Sequence, residues 1–83
     1  MINVLYFARL REQLQTESEQ LEVAPEITNV AALTDVLRNR GGVWAEAFGG
    51  STVMAAVNQE VANPSTSISD GDEVAFFPPV TGG

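Results

Sequence analysis

The stretch TNVAALTDVLRNRGG, residues 28–42, places Val30, Leu33 and Leu37 at spacings of three and four. That recurrence lines one face of a helix with apolar side chains and leaves the other polar. Thr28 and Asn29 are both suitable N-caps, because either side-chain oxygen can accept a free amide of the first turn. Gly41 supplies a left-handed residue just past the expected end. Arg38 and Arg40 fall in the expected final turn, where positive charge suits the helix dipole. A helix with a single buried stripe needs a second layer to lie on. Strand patterns occur on both sides of it.

Upstream, INVLYFA (residues 2–8) is β-branched and aromatic, with Ile2, Val4 and Tyr6 on one face and Leu5 and Phe7 on the other. A short helical turn is expected around residues 9–14. QLEVA (20–24) then alternates as a second strand, closed by Pro25, which has no ladder donor. Together these segments predict a β-hairpin. Downstream, VWAEAFGG (43–50) reads as a short helical turn that folds Trp44 and Phe48 onto the core. TVMAAVNQEV (52–61) reads as a strand with Val53, Ala55 and Val57 inward and a bend at NQE. ANPSTSIS reads as loop with a short strand or 3₁₀ turn, DGD as a tight turn, and EVAFF (73–77) as the last strand. The order β-β-α-β-(β)-β predicts an α+β domain. A mixed sheet of four to five strands carries one main helix across one face, and the last strand returns beside the first. We assign residues 1–78 to the domain and 79–83 to a flexible C-terminal tail.

Composition removes several function classes. The 83 residues suit one small domain, with a hydrophobic fraction of 45% and a net charge of −7. Without cysteine there is no disulfide, thiolate nucleophile or Cys-ligated metal, so an iron–sulfur ferredoxin is excluded. Histidine and lysine are also missing, and four arginines face eleven carboxylates. This balance argues against nucleic-acid binding and favours a protein partner with a basic surface. No apolar run is long enough to span a membrane. The N-terminus lacks the features of a signal peptide, so a cytoplasmic location is expected. The densest acidic cluster, Asp70, Asp72 and Glu73, surrounds an Asp-Gly turn and reads as solvated charge rather than a metal or catalytic site. No bound cofactor or metal is expected.

The ending FFPPVTGG (76–83) stands apart from this compact plan. Pro78 and Pro79 cannot extend the strand ladder and hold the chain extended as it leaves the sheet. From Pro78 to Gly83 the chain reaches about 20 Å, far enough to enter another protein's active site. Val80 and Thr81 lead to Gly82 and Gly83, which lack side chains and suit a narrow channel. The working group would be the α-carboxylate of Gly83. At the end of such a thread it suits ATP-dependent activation to an acyl-adenylate and attack by a sulfur or amine nucleophile. Gly41-Gly42 and Gly49-Gly50 are ordinary turn pairs, so paired glycines alone are weak evidence, and a simple frayed end stays open on the residues alone.

DGDEVAFFPPVTGG, residues 70–83, resembles the C-terminal signature of the small subunit of molybdopterin synthase, a ubiquitin-like sulfur carrier. INVLYFARLRE at the start and AAVNQ at 55–59 resemble the same family in the same order. The resemblance implies a β-grasp fold and no catalysis by this chain alone. It implies that Gly83 is adenylated with ATP by an activating enzyme similar to the ubiquitin-activating class, then converted to a thiocarboxylate with sulfur from a donor enzyme. Pro78, Pro79, Val80, Thr81 and Gly82 would thread the tail into the large synthase subunit, in an assembly of two large and two small subunits. There sulfur would pass to cyclic pyranopterin monophosphate to build the dithiolene of molybdopterin. The resemblance also implies partner docking through hydrophobic residues at Phe7, Val61 and Phe77. An exposed aromatic pair from neighbouring strands fits such a patch, against the plainer reading of a small cluster under a loop. The alternatives are a sulfur carrier for thiamin or tRNA thiolation, a protein-conjugating modifier, and a β-grasp binding module whose tail does no chemistry.

Overall fold

Helix α2 (Val30–Arg38) buries Val30, Leu33 and Leu37, as the spacing predicts. The computed structural model describes residues 1–49 and 53–79. Asn29 is the N-cap: its side chain accepts the Ala32 amide at 2.8 Å. The two amides before it are also taken up, since Val30 donates to the Thr66 carbonyl and Ala31 to that of Pro64. The loop after the fourth strand therefore caps α2, and its only regular pairing is a single bridge between Asn29 and Ser67. The helix ends earlier than expected, with Asn39 as C-cap, so Arg40 lies beyond the last turn. Gly41 follows in the left-handed region at φ +78°.

Five strands, β1 (Ile2–Tyr6), β2 (Ser18–Leu21), β3 (Met54–Val57), β4 (Glu60–Ala62) and β5 (Glu73–Phe77), form one sheet. Their order across it is β2-β1-β5-β3-β4. β1 and β5 run parallel at its centre, with Val4 opposite Val74 and Tyr6 opposite Phe76. The other pairs are antiparallel. Ile2, Val4, Tyr6, Val74 and Phe76 turn to the same face as Leu33 and Leu37, and all seven side chains are fully buried. One main helix crosses one face of a mixed sheet, as predicted, and two shorter helices, α1 (Ala8–Leu14) and α3 (Gly42–Gly49), complete that layer.

The short helical turn expected in the β1–β2 connection is α1, which runs to two turns and buries Leu10 and Leu14. Two local expectations are corrected. The second strand pairs at 18–21 rather than 20–24, with Ile2 opposite Leu21 and Leu5 opposite Ser18. This register turns Glu19 toward the helices, a position that alternation alone assigns to an apolar residue. Glu19 is tolerated there because Tyr6 Oη donates to its Oε2 at 2.7 Å and Arg40 binds both carboxylate oxygens at 2.8 and 2.9 Å. The segment read as one bent strand at 52–61 is the β3–β4 hairpin, turned by Asn58 and Gln59 at φ 51° and 69°.

Four aromatic rings close a circuit between α3 and the sheet. Tyr6 meets Trp44 edge-on at 5.4 Å and Phe76 in a stack at 6.3 Å. Phe48 stacks on Trp44 at 6.3 Å and meets Phe76 edge-on at 5.2 Å. The Arg40 guanidinium lies 4.4 Å above the Trp44 ring, so one cation joins the Glu19 carboxylate to the circuit.

Two stability outcomes are expected. Gln59 holds a left-handed conformation that glycine adopts freely, so Gln59→Gly should stabilise the domain by up to about 1 kcal/mol in denaturant titration. The second concerns Glu19, which Arg40 holds below the ordinary glutamate range. Its contribution is complete above that range and is lost as pH falls through the lowered folded value. Glu19→Gln should flatten the acid limb of the stability–pH profile and cost on the order of 1 kcal/mol at neutral pH.

Candidate functional site

The face of the sheet turned away from the helices carries no covering layer among the described residues. Strand alternation places Leu5 and Phe7, Ala75 and Phe77, Met54 and Ala56, and Val61 on that side. The register makes these residues contiguous, because Leu5 pairs with Ala75, Ala75 with Ala56, Ala56 with Val61, and Phe77 with Met54. Phe7 follows directly after β1 in extended conformation, with its amide donating to the Phe76 carbonyl at 3.1 Å. Val61 is 74% and Phe7 45% exposed, large values for apolar side chains, and Phe77 is half-buried. The patch thus joins all three residues named from the sequence and adds Leu5, Met54, Ala56 and Ala75.

The tail starts from this same strand. β5 ends at Phe77, Pro78 is half-buried and Pro79 is exposed. Val80, Thr81, Gly82 and Gly83 lie outside the described residues. Phe77 on the patch and the first proline of the tail are therefore consecutive.

The chain matches the ThiS family over residues 4–83. It is 45% identical to the molybdopterin synthase sulfur carrier subunit of Escherichia coli over 83 residues, covering 100% of both chains. The chain belongs to the ThiS family. Among solved structures it is similar to SAMP1 from Haloferax volcanii, with a TM-score of 0.77, 26% identity and coverage of 99% and 98% of the two chains. It also shares its fold with a Helicobacter pylori chain solved in a complex of subunits 1 and 2 of molybdopterin-converting factor. That likeness has a TM-score of 0.66 at 22% identity and covers 99% and 97% of the two chains. The parallel central pair with a helix packed across it is the β-grasp arrangement expected of a ThiS-family chain.

The acidic turn of this ThiS-family chain is structural. Asp72 accepts the Ser69 amide at 2.8 Å and the Asn58 side chain at 3.1 Å, and these donors hold it below the ordinary aspartate range. Asp70 pairs with the N-terminal ammonium, which lowers its pKa as well. The turn therefore locks the start of β5 to the β3–β4 hairpin and to the chain's own beginning. Among the described residues no cluster of acidic side chains is arranged to hold a metal ion. No helix there is long and apolar enough to cross a membrane.

A cavity of about 560 Å³ lies between α2 and the β3–β4 hairpin, with Met54 of the patch among its lining residues. Its charged groups are Asp35 and Arg38, which pair with each other, so it presents no free reacting group. Burial and the Glu19 carboxylate push the Tyr6 phenol well above its ordinary value, so it stays a proton donor to Glu19. The candidate site is thus the uncovered apolar patch together with the strand end at Phe77. The patch residues that sequence reasoning missed are small or sit at half-buried strand positions; only the register, which brings Ala56 between Ala75 and Val61, gathers them.

Val61 lies in a short edge strand with its side chain largely in solvent, so Val61→Thr should change unfolding free energy by no more than about 0.5 kcal/mol. Circular dichroism during thermal melting checks this. A large loss of stability would place Val61 in the core instead.

Proposed function

We propose that this chain carries sulfur as a C-terminal thiocarboxylate and delivers it within a molybdopterin synthase. The observation that carries the reading is the continuity of β5, which sets Phe77 in an uncovered apolar face and releases the tail at the next residue. A partner held on that face receives the tail at a fixed distance from the contact. The full-length identity to the Escherichia coli carrier supports the same conclusion.

The chemistry follows from the residues available. The Gly83 carboxylate attacks the α-phosphate of ATP on an activating enzyme, pyrophosphate leaves, and an acyl-adenylate forms. Sulfide released by a sulfur donor then adds to the acyl carbon and expels AMP, leaving the thiocarboxylate. The chain brings no cysteine, histidine or lysine to these steps, so acid–base work and sulfur supply belong to its partners. In the large subunit the tail, Pro78 to Gly82, threads toward cyclic pyranopterin monophosphate and Gly83 gives up its sulfur. Water restores the carboxylate, and two such deliveries complete the dithiolene. An assembly of two large and two small subunits in the cytoplasm is part of this reading. The net charge of −7 favours a large subunit with basic residues near its tail channel.

Docking through the open face makes Phe77 an anchor beside the tail, with Phe7 and Val61 flanking it. Phe77→Ala should weaken binding of the large subunit by about 1–2 kcal/mol while the free chain stays folded. Calorimetric titration and a melting curve check both halves. For the tail, intact-mass measurement after incubation with activating enzyme, ATP and a sulfur source should show one oxygen replaced by sulfur. A chain lacking Gly83 should show no replacement and still dock. The carrier reading fails if the full chain gains no sulfur while a control carrier does. Sulfur gained without molybdopterin formation from cyclic pyranopterin monophosphate would instead assign the chain to thiamin, tRNA thiolation or protein modification.

A further inference from the structure

Phe76 lies on the helix-covered side of the last strand and Phe77 on the open side, and Pro78, just past the strand, lines a cleft on the helix side. Phe76 is fixed by the aromatic circuit, through Phe48 at 5.2 Å and Tyr6 at 6.3 Å. Phe48 and Trp44 both belong to α3, so the circuit fixes α3 against the end of β5. Pro78 forms one wall of a cleft of about 150 Å³ that α1 and α3 bound with Leu10, Gln13, Glu46 and Ala47. Leu10 and Ala47 are 5% and 3% exposed, so the floor of this cleft belongs to the core and cannot shift freely. Pro79 does not line this cleft and is exposed.

We propose that the α1–α3 cleft is a seat for Pro78 that sets the direction in which the tail leaves the sheet. Pro78 is then a positioning residue for sulfur transfer, acting through the aim of Gly83 and separately from docking on the opposite face. This rests on the carrier reading above. A proline has fixed φ and no amide, so a ring held against two helices leaves the chain few alternative headings. A fully extended run of five residues spans about 17 Å, so a tilt of about 20° at its root would move the tip by about 6 Å. A displacement of that size is large against the alignment that group transfer requires.

The test uses the full chain loaded as its thiocarboxylate and mixed with the large subunit in single-turnover experiments. Pro78→Gly should slow sulfur transfer within the preformed complex on the order of ten-fold. Because Pro78 also belongs to the threading tail, the rates are compared at saturating large subunit, where any change in affinity drops out. Pro79→Gly removes the same local stiffness one residue later and should slow transfer clearly less. Gln13→Trp, which fills the cleft from α1 without altering the tail, should reproduce the Pro78→Gly slowing. In the free chain, nuclear Overhauser contacts should connect the Pro78 ring to the Ala47 methyl.

Equal slowing by the two proline variants would overturn the seat in favour of general stiffness. Unslowed transfer by Pro78→Gly or absent Pro78–Ala47 contacts would overturn it as well. If Gln13→Trp fails to fold, the proline pair and the Overhauser contacts still decide. Failure of the unaltered loaded chain to transfer sulfur, with a reference carrier active, would sink the carrier reading instead. The Overhauser contacts report on the seat independently of that outcome.

Discussion

The parallel pairing of β1 with β5 is the constraint on which the other features depend. Asn3 to Tyr6 lie beside Glu73 to Phe76 in the middle of the sheet, so the two ends of the folded chain are neighbours. Parallel strands need a crossover, and here almost the whole chain supplies it, laying α2 across the pair. Ile2, Val4, Tyr6, Val74 and Phe76 reach 0–1% exposure under that helix. The same pairing makes Phe7 and Phe77 adjacent on the other face, because each follows its last core residue by one position. Core, uncovered apolar patch and the end of the last strand are thus three consequences of one register.

Electrostatics in this chain serves the frame more than the site. Glu19, facing the helices from an edge strand, would carry a heavy desolvation cost alone; Tyr6 and Arg40 satisfy it, and Arg40 in turn covers Trp44. Among the described residues no buried side-chain nitrogen or oxygen lacks a hydrogen-bond partner. Asp70 and Asp72 tie the start of β5 to the N-terminus and to the β3–β4 hairpin. The remaining acidic groups give the surface a net negative field, which suits a basic partner, while the patch itself is apolar. Affinity for a partner would then come from burial at the patch, and the surrounding charge would guide encounter.

Legibility from sequence followed the range of the interactions. The α2 stripe, its Asn29 cap, Gly41 at positive φ, the two faces of β1 and the stop at Pro78 are all set within a few residues, and each is where periodicity and turn chemistry put it. The second strand was misplaced because its register answers to β1, and Glu19 could face inward only once Arg40, 21 residues away, arrived to bind it. The 52–61 segment was read as one bent strand because Asn58-Gln59 lacks the glycine that normally marks a two-residue hairpin turn. Arg40 was counted in the last turn of α2 because charge pattern alone cannot show where the helix stops.

The chain's linear order therefore dictated the elements, the fold class and the chemistry that is missing, since these depend on local periodicity and on which residue types are present. It also dictated where the last strand stops, because two prolines end a strand in any context. Which apolar residues stay uncovered, how Leu5, Ala56 and Met54 join Phe7, Val61 and Phe77, and which of the two prolines rests against the helices were decided only on folding. Those outcomes depend on pairing between strands far apart in sequence, and no local pattern encodes a register that both partners must set together.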